Sequence, residues 1–250
     1  MTKTTGLVLT LNGERLLERC LRSMDFCDEI LVVDSESTDR TVEIAEQCGA
    51  RVLVNPWPGP VDQFRYALEN IDDGWIVNLD QDEIFDDTLR RSVQQAIADP
   101  GGKVAFEAAR STWYFDRFMR HSGWYPDYQL RLFRKDGAEL RTHGPHYGWY
   151  PLGPSGRLDG DILHYSYRNF SEHLQKIDYY AEQGAEHLRG KGRKGGVFPA
   201  ITHGAGRFLK LYVFKLGLLD GRAGFINAVT GAYYAFQKYV RVEEDGYWGD

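Results

Sequence analysis

Cysteine is scarce in this chain of 250 residues, which contains only Cys20, Cys27 and Cys48. Their spacing matches no metal-binding pattern, and any disulfide scheme leaves one thiol unpaired, which is typical of a protein kept in a reducing compartment. The amino terminus lacks the apolar segment of a signal peptide. No apolar run reaches the ~18 residues that indicate a membrane-spanning helix. These absences predict a cytoplasmic protein.

Two phosphate-binding loops are also missing. The sequence contains neither Gly-x-Gly-x-x-Gly after its first predicted strand nor Gly-x-x-x-x-Gly-Lys-Ser/Thr, so dinucleotide-binding and P-loop enzymes lose support. The net charge of −6 argues against a nucleic-acid partner. Positive charge is nevertheless concentrated between Leu188 and Arg222. Asp220 is the one acidic residue of this segment, and its basic residues are Arg189, Lys191, Arg193, Lys194, Arg207, Lys210, Lys215 and Arg222.

Strand and helix patterns alternate through the first half of the chain. Buried-strand patterns at Gly6–Leu11, Glu29–Val33, Arg51–Val54 and Trp75–Leu79 are separated by helical patterns at 12–23, 40–48 and 61–70. This βαβαβαβ order predicts an α/β fold with a parallel sheet and right-handed crossovers.

Acidic residues follow two of these strands. Asp80, Asp82 and Glu83 end the run from Trp75, and Asp34 ends the strand from Glu29. Ligands of open α/β sheets bind beyond the carboxyl ends of the strands, and crowded carboxylates favour either a divalent cation or a raised pKa. The alternatives are an acidic turn with Asp86 or Asp87 as a helix cap, and an Asp34 that bonds its own turn.

Three motifs in their order resemble the nucleotide-sugar half of family 2 glycosyltransferases with the GT-A fold: Val8-Leu-Thr-Leu-Asn12, Val32-Val-Asp-Ser-Glu-Ser-Thr-Asp-Arg-Thr41 and Asn78-Leu-Asp-Gln-Asp-Glu83. The resemblance implies a single Rossmann-like, mostly parallel sheet flanked by helices. It assigns Thr10 and Asn12 to the nucleotide pocket, Asp34 to the uracil, Asp80 to the ribose, and Asp82 to Mn²⁺ or Mg²⁺ on the diphosphate. Two residues depart from the family pattern, because Glu36 replaces a usual Gly and Gln81 a common Ala.

The segment Gly123-Trp-Tyr-Pro-Asp-Tyr-Gln-Leu-Arg-Leu-Phe-Arg134 resembles the lipopolysaccharide-core branch of that family. Asp127 matches the carboxylate that deprotonates the acceptor hydroxyl in an inverting transfer, and Glu83 is the competing candidate for the base. Arg131 and Arg134 are candidates for binding phosphate oxygens, since guanidinium presents a planar fork. Arg65 is assigned with them to nucleotide-sugar binding.

Histidines and glycines follow in the second half. GT-A enzymes often add a His to the acidic motif, and His164, at the end of an apolar run, is favoured over His143 and His146 as a second metal ligand. Gly144 and Gly148 predict a mobile loop over the site at 143–160, whose closure would exclude water.

The carboxyl-terminal third combines apolar helical patterns at Phe208–Leu219 and Phe225–Val240 with the basic residues described above. This combination favours a helix in the interface of an anionic leaflet. A buried oligomer interface or a lid on the sheet is the alternative.

The sequence therefore predicts a GT-A catalytic domain at 1–168, made of a nucleotide-sugar half (1–100) and an acceptor half (101–168), with a helical appendage at 169–250. The predicted function is metal-dependent, inverting transfer of a hexose, as glucose from UDP-glucose, to a lipopolysaccharide-core or other lipid-linked envelope glycan. The chain would act at the inner face of the cytoplasmic membrane, which 189–240 would contact. The alternatives are a metal-dependent nucleotidyltransferase and a non-catalytic, membrane-associated nucleotide-sugar-binding protein.

Overall fold

The structure is a computed structural model that describes residues 2–143 and 146–243. The chain forms two units, one from residues 1–111 and 127–164 and the other from 112–126 and 165–250. The predicted domain boundary at residues 168/169 stays a prediction.

The predicted order βαβαβαβ is confirmed for the first half of the chain. The strands are β1 (Thr4–Thr10), β2 (Glu29–Asp34), β3 (Arg51–Val54), β4 (Trp75–Asp80), β5 (Glu83–Phe85), β6 (Ala105–Tyr114), β7 (Arg117–Phe118), β8 (Asp127–Arg134), β9 (Ala138–His143), β10 (His146–Pro151) and β11 (Ser155–His164). The helices are α1 (Leu17–Ser23), α2 (Thr41–Gln47), α3 (Pro60–Glu69), α4 (Asp87–Ala98), α5 (Phe170–Gly190), α6 (Val197–Leu209) and α7 (Gly221–Glu243).

The main sheet of the first unit has the order β3-β2-β1-β4-β8-β6-β11-β5. Its first four strands are parallel, and β8 pairs antiparallel with β4. Apolar side chains cover both faces of this sheet: one cluster joins it to α1, α2 and α4, and the other joins it to α3 and the β9–β10 hairpin. Burial on both faces explains why β1, β2 and β4 are continuous apolar runs instead of alternating patterns.

A β-bulge interrupts the pairing of β6 with β8. Phe106 pairs with Leu132 and Glu107 with Leu130, so Arg131 is one extra residue in β8. Leu132 and Leu130 consequently pack on opposite faces of the sheet, although they are two positions apart. Bulges of this kind redirect a side chain beside functional sites, and here that side chain is Arg131.

Three sequence predictions about local structure were wrong. Helix α1 begins at Leu17 instead of Asn12, because Asn12 has φ +50° and an N-cap needs extended backbone. Strands β10 and β11 occupy much of the stretch 143–160, which was expected to be a mobile loop, and Gly144 lies outside the described residues. The apolar stretch 208–219 is not one helix, since α6 ends at Leu209 and is followed by a π-helical turn at Lys210–Phe214 and a 3₁₀ turn at Gly217–Asp220.

The second unit is mainly helical. The Asn169 side chain caps α5 by accepting a hydrogen bond from the Glu172 N–H at 2.9 Å. The Tyr114 hydroxyl lies 2.8 Å from Nδ1 of the buried His173. Burial, and then the charge of Lys176, lowers the pKa of His173 to about 4. Of the helices within the described ranges, none has the length and apolar composition to cross a bilayer.

Candidate active site

The carboxyl ends of β1, β2 and β4 meet at one edge of the sheet. The register places Thr10 opposite Asp34 and Leu9 opposite Asp80. Parallel pairing therefore brings together residues that are up to 71 positions apart in the chain. This is the edge at which open α/β sheets bind ligands.

Asp34 faces inward at this edge. Its side chain is 1% exposed and accepts hydrogen bonds from the Thr10 hydroxyl at 2.8 Å, the Ser37 N–H at 2.8 Å and the Ser37 hydroxyl at 2.5 Å. Asp34 thus organises the turn after β2, which was the alternative to base binding. Its contact with uracil stays a prediction.

The loops after β1 and β2 bond to each other. The Asn12 side-chain oxygen accepts a hydrogen bond from the Thr38 N–H at 2.9 Å, and the Asn12 N–H donates to the Ser37 hydroxyl at 2.8 Å. Both loops contain a left-handed residue, Asn12 at φ +50° and Glu36 at φ +63°. Glycine adopts this conformation without steric cost, which explains why it would be usual at position 36.

Asp82 and His164 form the candidate metal site. His164 pairs with Glu83 across β11 and β5, and its Nε2 lies 3.6 Å from an Asp82 carboxylate oxygen. Among the described residues no cluster of three His, Cys, Asp or Glu side chains could hold a metal ion. One carboxylate and one imidazole nevertheless fit a divalent cation that takes its remaining ligands from diphosphate and water. His143 and His146 have side chains outside the described part of the chain.

Arg131 joins the acidic residues of the strand end. Its Nη2 donates hydrogen bonds to Asp80 at 2.8 Å and to Glu83 at 2.7 Å, and its Nη1 donates to Asn78 at 3.2 Å. Glu83 is 0% exposed, and burial raises its pKa although Arg131 opposes the shift. Burial alone would lower the pKa of Arg131, but the charges of Asp80 and Glu83 raise it above its ordinary value. The guanidinium is therefore bound to protein carboxylates instead of being presented to a phosphate.

Asp127 lies at the start of β8 and is linked to the same network. Arg110 donates to one Asp127 oxygen through Nε at 2.9 Å and Nη2 at 2.6 Å, and to Glu83 through Nη1 at 3.3 Å. Gln129 donates to the other Asp127 oxygen at 2.9 Å. The Asp127 side chain is 41% exposed, so, unlike Glu83, it can be reached by a substrate. Arg110 was missed by the sequence analysis because nothing in the pattern of β6 distinguishes it from a surface residue.

One predicted ligand, Arg134, does not lie at this edge. Arg134 pairs with Trp75, the first residue of β4, and its guanidinium carbon lies 5.5 Å from the Trp75 ring. The antiparallel register of β8 therefore places Arg134 at the opposite end of β4 from Asp80. Arg65 is exposed on α3, where it forms an ion pair with Asp62. The structure thus corrects the assignment of Arg134 to nucleotide-sugar binding, whereas the assignment of Arg65 stays a prediction.

A cavity of about 360 Å³, called the first cavity below, opens at the strand ends. Thr10, Asp80 and Asp82 line it together with three aromatic residues that the sequence analysis did not select: Trp57, Phe64 and Tyr147. Trp57 lies in Asn55-Pro-Trp-Pro-Gly-Pro60, and a tryptophan between two prolines was the available signal in the sequence. The volume of the first cavity falls within the roughly 300–1,000 Å³ typical of small-molecule sites.

Comparison with known proteins agrees with this geometry. The profile of the family described as "Glycosyl transferase family 2" matches residues 7–153. The lipopolysaccharide core biosynthesis glycosyltransferase LpsC of Rhizobium meliloti is 30% identical over 95% of this chain and 91% of its own. An uncharacterized glycosyltransferase of Rickettsia typhi is 25% identical over 98% of this chain and 88% of its own.

A solved structure shares the fold. The mannosyltransferase PcManGT of Pyrobaculum calidifontis, in complex with GDP-mannose and Mn²⁺, matches with a TM-score of 0.53 and 15% identity over 98% of this chain and 88% of its own. The predicted α/β architecture of the GT-A type, with a carboxyl-terminal helical part, is therefore confirmed. The nucleotidyltransferase and non-catalytic alternatives are not supported. The chain is a glycosyltransferase and belongs to glycosyltransferase family 2.

Proposed function

We propose that this glycosyltransferase moves glucose from UDP-glucose, with inversion, to a saccharide of the lipopolysaccharide core or of another lipid-linked envelope glycan. The observation that carries the proposal is the first cavity, in which Thr10, Asp80 and Asp82 meet at one sheet edge. The similarity to LpsC supports a lipopolysaccharide-core acceptor.

Asp82 and His164 would hold a divalent cation, Mn²⁺ or Mg²⁺. When bound, the cation would stabilise the negative charge of the departing nucleoside diphosphate. The position of His164 supports this pair of ligands, because it ends β11 and pairs with Glu83, the residue after Asp82. Asp80, held by Arg131, remains available on the ribose side of the donor.

Asp127 is the proposed base. It would accept the proton of the acceptor hydroxyl while that oxygen attacks the anomeric carbon from the side opposite the diphosphate. Arg110 and Gln129 fix the orientation of its carboxylate. Glu83 has no exposed surface with which to meet an acceptor, so we assign it to holding Arg131 and Arg110 in place.

A donor assay tests the metal and nucleotide roles. Purified protein is screened by thermal shift against UDP-glucose, UDP-galactose and GDP-mannose with Mn²⁺, and slow UDP release is then followed with the best donor. We expect UDP-glucose to give the largest stabilisation, about 2.7 kcal/mol at 100 times its Kd. Asp82→Asn should abolish the part of this stabilisation that depends on Mn²⁺.

Asp136→Asn is the matched control for this assay, because Asp136 is an exposed carboxylate in the turn after β8. It should behave as wild type. Equal Mn²⁺ dependence in Asp82→Asn and wild type would refute the metal role.

The base role has a separate test. Asp127→Asn should lower kcat for transfer by about 10²- to 10⁴-fold, the usual contribution of a general base. Donor-induced thermal shift should remain that of the wild type. If Glu83→Gln loses transfer to the same extent while Asp127→Asn retains it, the assignment is reversed.

The second unit carries the proposed membrane contact. Phe198 and Phe214 are each 78% exposed, and α7 exposes an apolar stripe at helical spacing, namely Phe225, Val229, Tyr233 and Phe236. The basic residues from Lys191 to Arg222 are exposed, whereas Asp220 is buried and accepts hydrogen bonds from the N–H groups of Arg120 and His121. The exposed charge of this segment is therefore entirely positive, as binding to an anionic leaflet requires.

Vesicle sedimentation tests this contact. Wild type should bind vesicles containing phosphatidylglycerol and should be released by salt, since each basic residue contributes about 1 kcal/mol near such a surface. Phe198→Glu and Phe214→Glu should bind less. Tyr179→Glu, at an exposed aromatic residue of α5, is the control and should bind as wild type. Equal binding of all three variants would refute an apolar contact through these residues.

A further inference from the structure

A second cavity, of about 400 Å³, lies next to the first in the same unit. Strands β6, β8, β9 and β10 supply its main lining residues: Glu107, Tyr128, Gln129, Arg141, Tyr147 and Tyr150. Tyr147 lines both cavities. A molecule in the second cavity would therefore contact a residue that also lines the proposed donor cavity.

Three partly exposed tyrosines give the second cavity aromatic walls. Tyr128, Tyr147 and Tyr150 are 38%, 44% and 39% exposed. The Arg157 guanidinium carbon lies 4.0 Å from the Tyr128 ring centre, and that of Arg141 lies 5.1 Å from the Tyr150 ring centre. These contacts restrain two of the rings. Rigid rings with polar tips match the alternating apolar faces and hydroxyl edges of a pyranose.

The charges around the second cavity indicate a neutral ligand. Arg141 forms an ion pair with Glu139, and Arg157 donates to Glu107 at 2.7 Å. Both guanidinium groups thus already have a carboxylate partner, so a phosphate would have to compete with it. Hydroxyl groups can instead bond to carboxylate and guanidinium without displacing either.

Gln129 links the second cavity to the proposed base. Its side-chain nitrogen donates to an Asp127 carboxylate oxygen at 2.9 Å, and Gln129 itself lines the cavity. Strand β8 therefore runs from the base directly into the cavity wall, through Tyr128. A saccharide bound there would therefore contact a residue that bonds to the proposed base.

We infer that the second cavity is the acceptor subsite and binds a neutral pyranose, with Tyr128 and Tyr150 as its aromatic platforms. This inference rests on the proposed function, because it takes the first cavity as the donor site. It adds the chemical class of the acceptor residue and the side chains that select it.

Saturation-transfer NMR tests the inference with defined probes: the methyl pyranosides of glucose, galactose, mannose and L-glycero-D-manno-heptose, in the presence of saturating UDP and Mn²⁺. Wild type should transfer saturation to at least one of them. Tyr128→Ala and Tyr150→Ala should each weaken binding about tenfold, which corresponds to 1.4 kcal/mol. Tyr179→Ala, at an exposed tyrosine of α5, is the matched control and should bind as wild type.

A second measurement uses wild type alone and so does not depend on the folding of a variant. Irradiating aromatic protons should saturate the pyranoside more strongly than irradiating methyl protons. Absence of transfer to every pyranoside, equal transfer after both kinds of irradiation, or undiminished binding by both alanine variants would overturn the inference. Failure of the proposed function is distinguishable, because it would appear as absent UDP-glucose binding and UDP release in wild type.

Discussion

Removing the guanidinium of Arg131 tests how the acidic strand end is held together. In Arg131→Met, the fully buried Glu83 would keep two partners among the described residues, Arg110 at 3.3 Å and the Asp80 N–H at 3.1 Å. Breaking a buried ion pair by deleting one partner costs about 3–5 kcal/mol, because the other charge stays desolvated. At roughly 2–4 °C per kcal/mol for a chain of this size, the melting temperature should fall by roughly 10 °C.

The companion variant separates charge from shape. Glu83→Gln keeps the size of the side chain and removes its charge, so it should cost only about 1–2 kcal/mol. In that background Arg131→Met no longer leaves a buried carboxylate without its partner. The double variant should therefore be more stable than the sum of the single effects predicts, by about 2 kcal/mol.

Urea denaturation followed by circular dichroism and tryptophan fluorescence measures all of these changes. Arg134→Met is the matched control, three residues further along β8, where the guanidinium lies over Trp75. It should cost no more than about 1 kcal/mol. If Arg131→Met is no worse than this control, or if the two single effects add within about 0.5 kcal/mol, the buried pair does not hold the strand end.

Three further predictions concern pH and backbone conformation. As the pH falls, the unfolded chain gains a proton at His173 near pH 6.5, whereas the folded chain gains it only near the lowered pKa of about 4. The free energy of unfolding should therefore fall by up to about 3 kcal/mol between pH 6.5 and pH 4. In His173→Gln the melting temperature should lose the pH dependence that comes from this histidine. Gly160→Ala should lower the free energy of unfolding by roughly 2–4 kcal/mol, because φ is +96° and a β-carbon would overlap the backbone nitrogen of Leu89. Gly148→Ala, where a β-carbon would meet open space, should leave the melting temperature unchanged in thermal unfolding. At the left-handed position 36, Glu36→Gly should stay within about 0.5 kcal/mol of wild type and Glu36→Val should cost more than about 1 kcal/mol in urea denaturation; equal effects would contradict the left-handed conformation.

The parts of the fold that were predictable depend on local patterns. Apolar runs of four to six residues mark β1 to β4 in the sequence. Because Asp is a preferred N-cap, the sequence also offered Asp86 or Asp87 as a helix cap, and Asp86 caps α4. The sheet edge that joins Asp34 to Asp80 followed from the rule that parallel strands end on one side.

What could not be predicted depends on register between distant segments. Strand β8 contains two arginines of similar appearance, Arg131 and Arg134, and only its antiparallel pairing with β4 assigns one to the site and the other to the opposite edge. Arg110 was missed for the same reason, since its partners Glu83 and Asp127 are 27 and 17 residues away. The loop expected at 143–160 lacked a visible strand signal because its glycines outweighed the aromatic residues of β10.

The extra residue in β8 determines which part of the strand can change without disturbing the rest. On one side of Arg131, Leu132 and Phe133 belong to the two apolar clusters of the sheet. On the other side, Tyr128, Gln129 and Leu130 line the second cavity, and Gln129 also donates a hydrogen bond to Asp127. Deleting a single residue here would restore regular pairing and exchange the faces of Asp127 and Tyr128. Natural variation in acceptor choice should therefore proceed by substitution within this half-strand, with its length preserved.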